Sequence, residues 1–249
     1  MIDKQAQEWL NNNQLSYDIW DKKYRYNNES FEEWLNRVSG GDAEIKRLIF
    51  EKKFLFGGRT LANRGTNKGS LNNCYSAGFV PDSLEGIMQT AHDIAMTFKA
   101  QGGQGLSLSK IRPKGSLINN TFESDGIVPF MEIFNTVTES VSQGGSRKGA
   151  LMMSLNINHP EAETFMTIKS DHNRITKANL SMEIDDDFMQ KVINGEVEAN
   201  KLFNVLCEQA CKHAEPGVLF TTRLRNYNLM EHVESYQIET TNPCGQFTF

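Results

Sequence analysis

The chain has 249 residues, of which 39% are hydrophobic and 23% are charged, a balance typical of a globular protein with one large or two small domains. No apolar stretch approaches the roughly 18 residues of a membrane span, and the polar start, MIDKQAQEWLNNN, predicts no signal region. The net charge of -5 argues against direct binding to nucleic acid. Four cysteines are too few for a disulfide scaffold, so we predict reduced thiols and a cytoplasmic location.

Apolar residues in the N-terminal part of the sequence recur with the spacing of amphipathic helices. Ser30 and Glu33 have the separation of a capping box, and Gly40 is typical of a residue that ends a helix. A second helix is predicted from Asp42 to about Phe56. We therefore predict a helical region over residues 1–58 that packs on something larger.

Beyond this region, strand-like stretches alternate with helical ones, which indicates a mainly parallel sheet with helical crossovers. The predicted strands cover residues 74–80, 105–109, 151–157, 178–184 and 218–221. Helices are predicted from Asp82, from the His159–Pro160 pair, over 188–193 after a cap at Asp185 or Asp186, and over 202–213. Five strands are too few to close a barrel, so sheet edges would stay exposed.

Two glycine-rich segments carry or precede clustered positive charge. The segment QGGSRKGA (143–150) contains Arg147 and Lys148, and its glycines allow the backbone to approach a ligand closely. The segment KAQGGQG (99–105) leads into a strand, after which come Lys110, Arg112 and Lys114. These five cationic side chains predict an anionic ligand. For the first segment alone, a solvated turn is an equally good interpretation.

The residues Asp82, Ser83 and Leu84 follow the first predicted strand and open a helix. Their simplest interpretation is a helix N-cap. A helix start also presents free N–H groups, so the same residues could contact a ligand hydroxyl or phosphate.

The four cysteines fall into two pairs. Cys207 and Cys211 lie four residues apart in a predicted helix, with His213 nearby, but no second ligand cluster accompanies them, so we predict that they pack in the interior and bind no metal. Cys74 and Cys244 lie at strand ends or in loops, where α/β folds place their chemistry.

Cys244 lies between a proline and a glycine in the sequence TNPCGQ (241–246), with amide side chains on either side, and this setting is typical of a reactive thiol. Very little sequence follows it that could form a pocket. We therefore expect either that the chain is a fragment or that a second polypeptide completes the site.

Eight segments occur in the order found in one known family. They are RTLAN (59–63), NC (73–74), DSL (82–84), GGQG (102–105), IRPKG (111–115), QGGSRKGA (143–150), HP (159–160) and NPCG (242–245). Together they resemble the catalytic subunit of ribonucleotide reductase, and most closely its adenosylcobalamin-dependent class II. The resemblance implies an α/β fold: an N-terminal helical cap, then the first half of a ten-stranded α/β barrel over 59–249, ending at the start of a finger loop.

The resemblance also implies catalytic roles. Cys244 would become a thiyl radical that removes the 3′ hydrogen of the ribose, and Cys74 would be one of two reducing thiols. Asn242 matches the family motif, but Gln246 stands where the family has a glutamate that acts as a general base. An amide cannot accept a proton at neutral pH, so this departure would cost roughly 10²–10⁴ in rate.

Binding residues follow from the same resemblance. Thr60, Asn73 and Gly103 align with positions that line the substrate site. An allosteric specificity site for ATP or a deoxynucleotide, placed at a homodimer interface, would use the residues Asp82, Ser83, Leu84, Lys99, Arg112 and Arg147. The loop over residues 143–150 would report the identity of the effector to the substrate base.

The implied partners are a ribonucleotide substrate, the C-terminal half of the enzyme and an external dithiol reductant of the thioredoxin type. The implied cofactor is adenosylcobalamin, which we favour over a separate di-metal radical subunit. Two alternatives remain open. Gln246 is compatible with a catalytically inactive nucleotide-binding module derived from the same fold. An unrelated α/β enzyme with coincidental motifs is the other.

Overall fold

The structure is a computed structural model that describes residues 2–143, 147–230, 232–233 and 236–245, with the backbone alone described at 142, 143, 147 and 148. The chain divides into two compact units, Met1–Asn73 and Cys74–Phe249. Among the described residues, no helix has both the length and the apolar character that crossing a membrane requires.

The first unit is helical. Its helices are α1 (Lys4–Trp9), α2 (Gln14–Ile19), α3 (Phe31–Ser39), α4 (Ala43–Phe50) and α5 (Gly58–Asn63), with a π-helical turn at Trp20–Tyr24. Aromatic side chains dominate its core, because Trp20, Phe31 and Trp34 are at most 2% exposed.

The capping box predicted at the start of α3 is present. The Ser30 hydroxyl accepts a hydrogen bond from the Glu33 N–H, and the Glu33 carboxylate accepts one from the Ser30 N–H. These bonds to the backbone and hydroxyl of Ser30 lower the pKa of Glu33. The helix ends, as predicted, at Gly40, whose φ of 69° is left-handed.

The predicted end of the second helix was wrong. Helix α4 stops at Phe50, and Lys52 adopts a left-handed φ of 58°. The Lys53 N–H then bonds to the Leu48 carbonyl and the Lys52 N–H to the Ile49 carbonyl, which is the Schellman arrangement. The left-handed residue at helix ends of this kind is usually glycine. The sequence Glu-Lys-Lys therefore did not indicate that the helix ends there. The apolar residues after Lys53 continue the sequence pattern outside any helix, with Phe54 and Leu55 exposed and Phe56 packed on the core.

The second unit is built on a parallel sheet. Its strands are β1 (Cys74–Phe79), β2 (Gly103–Ser107), β3 (Leu117–Ile118), β4 (Phe122–Glu123), β5 (Ser142–Gln143), β6 (Arg147–Lys148), β7 (Leu151–Asn156), β8 (Ala178–Ile184) and β9 (Gly217–Phe220). The main sheet has the order β1-β2-β7-β8-β9, and every neighbouring pair in it is parallel. The strands β3 with β4 and β5 with β6 form two short antiparallel ladders. The five predicted strands are therefore the five strands of this open sheet.

Helices connect the strands: α6 (Leu84–Lys99), α7 (Val128–Ser140), α8 (Ala162–Thr167), α9 (Asp186–Ile193), α10 (Val197–His213) and α11 (Thr221–Asn226). Two predicted helix starts were wrong. Helix α8 begins two residues after Pro160, which lies in the preceding turn, and α10 begins at Val197. Val197 is 79% exposed and the buried residue of the first turn, Ala199, is small, so this turn lacks the strong apolar stripe that marks a helix in sequence.

The two faces of the main sheet differ in chemistry because side chains alternate along each strand. Leu106, Met153 and Leu180 point to one face and belong to a buried apolar core shared with the helices. Residues of the opposite parity are small or polar, apart from Met152 in β7. On the three central strands this polar face carries Gly103, Gly105, Ser107, Ser154, Ser181 and Glu183. The candidate site is built on this polar face.

Candidate functional site

Two cysteine thiols lie close together on the polar face. The Sγ atoms of Cys74 and Cys244 are 4.0 Å apart, although the two residues are separated by 170 positions in sequence. No disulfide joins them, since its S–S bond would be about 2.05 Å long. Cys74 is partly buried as the first residue of β1, and Cys244 is exposed. Cys74 therefore lies at the amino end of its strand, whereas most α/β enzymes place catalytic groups at carboxyl ends.

Cys244 is presented by a tight turn. The Gly245 N–H donates a hydrogen bond of 3.0 Å to the Asn242 carbonyl, so residues 242–245 form a β-turn with Cys244 at its third position. Cys244 is not among the residues with positive φ, which excludes a type II turn. Asparagine first, proline second and glycine fourth are the residues that a type I turn prefers. The sequence NPCG thus forms a turn that carries the Cys244 thiol.

The segment that carries this turn, residues 238–245, lies along the polar face and is called here the thiol segment. It begins at the carboxyl end of β1, where the Glu239 carboxylate accepts a hydrogen bond of 2.9 Å from the Phe79 N–H. It ends beside Cys74, at the amino end of the same strand. The thiol segment therefore runs antiparallel to β1. Ile238 and residues 240–242 are at most 9% exposed, so the sheet and the segment cover each other.

Glycines allow this close approach. A Cβ on Gly105 would collide with the carbonyl oxygen of Thr241 and lie 3.0 Å from the carbonyl carbon of Asn242. A Cβ on Gly103 would lie 3.2 Å from Cγ of Pro243. Gly103 and Gly105 lie on the same face of β2, and neither has a side chain. They therefore leave a groove in which the backbone of the thiol segment lies.

A third glycine marks the start of the segment. Gly78 has a φ of 71°, at the point where the pairing of β1 with β2 is irregular. A Cβ there would collide with the Glu239 carboxylate. This glycine bulge aims the Phe79 N–H at Glu239, while Lys110 places its ammonium 3.8 Å from the same carboxylate.

A buried polar network holds the middle of the thiol segment. The Ser154 hydroxyl donates to the Glu183 carboxylate over 2.6 Å and lies 2.9 Å from the Thr240 hydroxyl. Because the Ser154 proton is directed at Glu183, Thr240 is the donor in the second bond. The Ser109 hydroxyl donates to the other oxygen of Glu183 over 3.1 Å. Glu183 is 2% exposed and Ser154 fully buried, so the network is shielded from water.

Removing the central hydroxyl should loosen this network. We expect Ser154→Ala to lower the free energy of unfolding by about 1–3 kcal/mol, since Glu183 and Thr240 would lose a buried partner. Chemical denaturation followed by circular dichroism measures the change. The control is Ser140→Ala, at the exposed end of α7, which should change stability by less than about 0.5 kcal/mol. Equal stability of Ser154→Ala and the parent chain would contradict the network.

The expected effector residues are gathered only in part. The Arg112 guanidinium donates to the Asp82 carboxylate over 2.8 Å, and the Arg112 N–H bonds to its other oxygen. Ser83, not Asp82, caps helix α6, by accepting from the Gly86 N–H, and Leu84 is 65% exposed beside it. Lys99 ends the same helix, about 22 Å away at 1.5 Å per residue. Arg147 lies in β6, and its side chain is outside the described part of the structure.

The expected substrate residues are spread over both units. Thr60 lies in α5 and Asn73 is the last residue of the first unit, directly before Cys74 in sequence. Gly103 pairs with Cys74 across β1 and β2, and is thus a neighbour of the thiol pair. Gln246 lies outside the described residues.

The second cysteine pair is not in the interior. Cys207 and Cys211 are both exposed on α10, so the prediction that they pack in the core was wrong. The stripe that faces the interior includes Leu206 and Gln209 instead. Nowhere in the described ranges do three His, Cys, Asp or Glu side chains group in a way that could hold a metal ion.

Sequence reasoning missed Glu183, Glu239 and Ser154. The signal for Glu183 was weak, because its parity in the predicted strand 178–184 is opposite to that of the apolar residues, where a polar side chain is expected. Glu239 gave no comparable signal, since its role depends on a bulge in a strand 160 residues earlier.

Comparison with known proteins places the chain in a family. The family profile described as ribonucleotide reductase, barrel domain, matches residues 73–197, half of the chain. The chain belongs to this family. The predicted family, and the prediction of an α/β fold with half of its barrel, are thus confirmed. The matched region includes β1, β2, β7 and β8, which carry the polar face.

Individual relatives agree with the family assignment. A vitamin B12-dependent ribonucleoside-diphosphate reductase of Thermoplasma acidophilum is 35% identical over 204 residues, covering 75% of this chain and 26% of the relative. One of Mycobacterium tuberculosis is 31% identical over 216 residues, covering 80% and 31%. The solved class Id ribonucleotide reductase alpha subunit of Actinobacillus ureae superposes with a TM-score of 0.82 at 20% identity, over 95% of this chain and 45% of that one. The chain thus spans about a quarter to a third of the length of the two curated reductases.

Proposed function

We propose that the chain provides the first half-barrel of a ribonucleotide reductase, which converts ribonucleotides to deoxyribonucleotides by thiyl-radical chemistry. The main support is the pair of thiols 4.0 Å apart, one at the tip of a turn and one on the sheet beneath it. Membership of the family supports the same assignment. A C-terminal half, supplied by a second polypeptide or by further sequence, would add the remaining walls of the site.

In the proposed reaction, the Cys244 thiyl radical takes the 3′ hydrogen atom of the ribose. Sulfur suits this step because its S–H bond is close in strength to the activated C–H bond, so the hydrogen can be returned at the end. The 2′ hydroxyl leaves as water, and two thiols supply the two electrons and two protons that this reduction needs. Cys74 is one of these thiols, and the other comes from the C-terminal half. The resulting disulfide is reduced by an external dithiol, such as a thioredoxin-type protein.

The turn at residues 242–245 suits a reaction in which adenosylcobalamin generates the first radical. When bound, that cofactor supplies a carbon-centred radical that can take a hydrogen atom from a thiol. Cys244 is the residue of this chain that would face it, because its side chain is exposed at the tip of the turn. The two relatives named as vitamin B12-dependent reductases support this choice.

We further propose that a nucleotide effector binds at the start of α6 in a homodimer. Leu84, Met88 and Met96 form an exposed apolar stripe on this helix, each between 47% and 65% exposed. If two copies pair their α6 helices antiparallel through this stripe, Lys99 of a second copy arrives beside Asp82 and Arg112. This arrangement would bring together the cationic groups that lie apart within one chain.

The effector site can be tested through Arg112. We expect Arg112→Ala to weaken the binding of deoxynucleoside triphosphates at least tenfold, because a charged hydrogen bond to phosphate contributes about 1.5–3 kcal/mol. Titration calorimetry on the dimer measures the affinity. The control is Arg174→Ala, which breaks a similarly exposed pair with Glu132. Unchanged affinity in Arg112→Ala would remove Arg112 from the site.

The whole proposal is tested by reconstitution. The chain is mixed with a C-terminal half from a class II relative, adenosylcobalamin, a dithiol and a ribonucleotide, and deoxynucleotide is measured by chromatography. We expect product that depends on every component. Absence of product with each effector nucleotide in turn would count against a catalytic role.

The presence of Gln246 favours a second candidate, a nucleotide-binding module without turnover. Reconstitution of Gln246→Glu separates the two candidates. A catalytic chain should gain roughly 10²–10⁴ in rate from the restored general base. The module hypothesis predicts effector binding but no turnover in either variant.

A further inference from the structure

The turn that follows β7 carries the HP motif, and its side chains contact a loop that comes from another strand. This turn, residues 157–161, joins β7 to α8. Two of its side chains, His159 and Glu161, form hydrogen bonds with the loop between β2 and α7, residues 108–127, which is called here the Arg112 loop. The turn therefore holds the loop on which Arg112 lies.

The orientation of the His159 ring follows from its two hydrogen bonds. Its Nδ1 atom lies 3.1 Å from the Glu161 backbone nitrogen, and since a backbone N–H only donates, Nδ1 is the acceptor. In a neutral imidazole the proton is then on Nε2, which donates to the Ile111 carbonyl over 2.9 Å. His159 is therefore a rigid bridge between its own turn and the Arg112 loop, with one backbone partner at each ring nitrogen.

The bond from His159 fixes one peptide group of the Arg112 loop at both of its polar atoms. The Ile111 carbonyl belongs to the same planar peptide unit as the Arg112 N–H. That N–H donates to the Asp82 carboxylate over 3.2 Å, and the Arg112 guanidinium donates to the other carboxylate oxygen over 2.8 Å. Rotation of this peptide plane would therefore break the His159 bond and turn the backbone of Arg112 away from Asp82.

Glu161 holds the same loop at two further points. One of its carboxylate oxygens accepts from the Lys114 N–H over 3.2 Å and from the Ile127 N–H over 3.1 Å. Glu161 is only 9% exposed, so these bonds are largely shielded from water. A Cβ on Gly126, whose φ is 79°, would collide with the carboxylate, so the loop passes close to it at a glycine. An early residue and the last residue of the loop are thus tied to one side chain.

We propose that His159 and Glu161 are positioning residues for the nucleotide effector, because they hold the Arg112 loop so that the Arg112 guanidinium meets phosphate. This inference rests on the proposed effector site at the start of α6, and it adds two residues that act without touching the nucleotide. Both act on the backbone of the loop, His159 at the Ile111 carbonyl and Glu161 at the Lys114 N–H. A guanidinium on a fixed backbone binds phosphate better than one on a mobile loop, because less conformational freedom is lost on binding.

Two substitutions of His159 separate its two bonds. Glutamine has an amide nitrogen that can take the place of Nε2, so His159→Gln keeps a donor for the Ile111 carbonyl. Asparagine is shorter, so His159→Asn keeps only an acceptor for the Glu161 N–H, and asparagine suits turns. We expect His159→Asn to weaken the binding of deoxynucleoside triphosphates to the dimer by about three- to tenfold in titration calorimetry, the factor that one ordinary hydrogen bond represents. His159→Gln keeps that bond and should stay within about twofold of the parent chain.

A double-mutant cycle shows whether His159 acts through Arg112. If it does, His159→Asn should cost little further affinity once Arg112→Ala is present, because the guanidinium that it positions has gone. A general weakening of the fold would instead lower the affinity equally in both backgrounds. The control is His172→Asn, at an exposed histidine whose ring contacts His213, and it should leave the affinity unchanged.

Hydrogen exchange, followed by mass spectrometry, reports on the Arg112 loop without any nucleotide. Protection in the loop should fall in His159→Asn and in Glu161→Ala, and it should persist in His159→Gln and in Glu161→Gln, which retains an acceptor oxygen. The Glu161 variants should follow the same order in nucleotide affinity. If His159→Asn does not fold, the two Glu161 variants decide in the same way.

The outcomes separate this inference from the effector site on which it rests. It is overturned if the parent chain binds nucleotide and His159→Asn binds equally well, if the cycle shows the same loss in both backgrounds, or if exchange in the Arg112 loop does not change. Absence of binding by the parent chain itself would remove the effector site, and this inference with it, whatever the exchange pattern.

Discussion

Replacing Cys244 with serine should abolish deoxynucleotide formation by the reconstituted enzyme, by more than about 10³-fold. A loss of that size corresponds to about 4 kcal/mol of added activation free energy. The O–H bond of serine is stronger than an S–H bond by more than this amount, so the first hydrogen transfer should fail. Serine nearly matches cysteine in shape, and Cys244 is exposed, so stability should not change. The measurements are product formation and thermal unfolding on the same preparations.

The matched control is Cys211→Ser. Cys211 is also an exposed free cysteine, but it lies on helix α10 and not in the thiol segment. Its replacement should therefore leave turnover intact. Turnover that survives in Cys244→Ser, or falls equally in both variants, would remove Cys244 from the proposed role.

A single methyl group on Gly105 should displace the thiol segment. A Cβ there collides with the backbone of Thr241, which cannot rotate away as a flexible side chain could. We expect Gly105→Ala to cost about 1–3 kcal/mol of stability, as overpacking of a rigid site does. Because a shift of about 1 Å can cost 10²-fold in rate, turnover should fall by at least about that factor. Thermal unfolding and the reconstituted assay measure the two effects.

Gly217→Ala provides the comparison in the same sheet. A Cβ at Gly217 would meet the Ser181 hydroxyl at 3.2 Å, and a small side chain can adjust. We expect less than about 1 kcal/mol of destabilisation and nearly full turnover. If Gly105→Ala behaved like Gly217→Ala, the thiol segment could not be resting on β2.

Much of the fold could be predicted from the sequence. Strands that bury one face against the helices have apolar residues at every second position, and this alternation is strong. The predicted strand 178–184 coincides with β8, whose residues alternate between the core and the polar face. The first turn of α10 was missed because its buried residue, Ala199, is small and its larger apolar residue, Val197, is exposed. The left-handed residue that ends α4 is a lysine, and only backbone geometry reveals it.

The site was predicted less completely, since most of its contacts join distant parts of the chain. Motifs identified Cys74 and Cys244, but the polar network that holds Thr240 depends on side chains from β7 and β8. The pairing of Asp82 with Arg112 likewise follows from the loop after β2 returning to the start of α6. Local patterns could not indicate which charges meet, because they carry no information on register between strands.

The central structural claim is that the thiol segment lies on the polar face with Cys244 beside Cys74. Mild oxidation of the reduced full chain with diamide, which takes two electrons and two protons from a pair of thiols, tests it directly. Peptide mapping should find a Cys74–Cys244 disulfide as the main product, formed ahead of any link to the exposed Cys207 or Cys211. A map in which Cys244 stays reduced, or links mainly to Cys207 or Cys211, would contradict the arrangement.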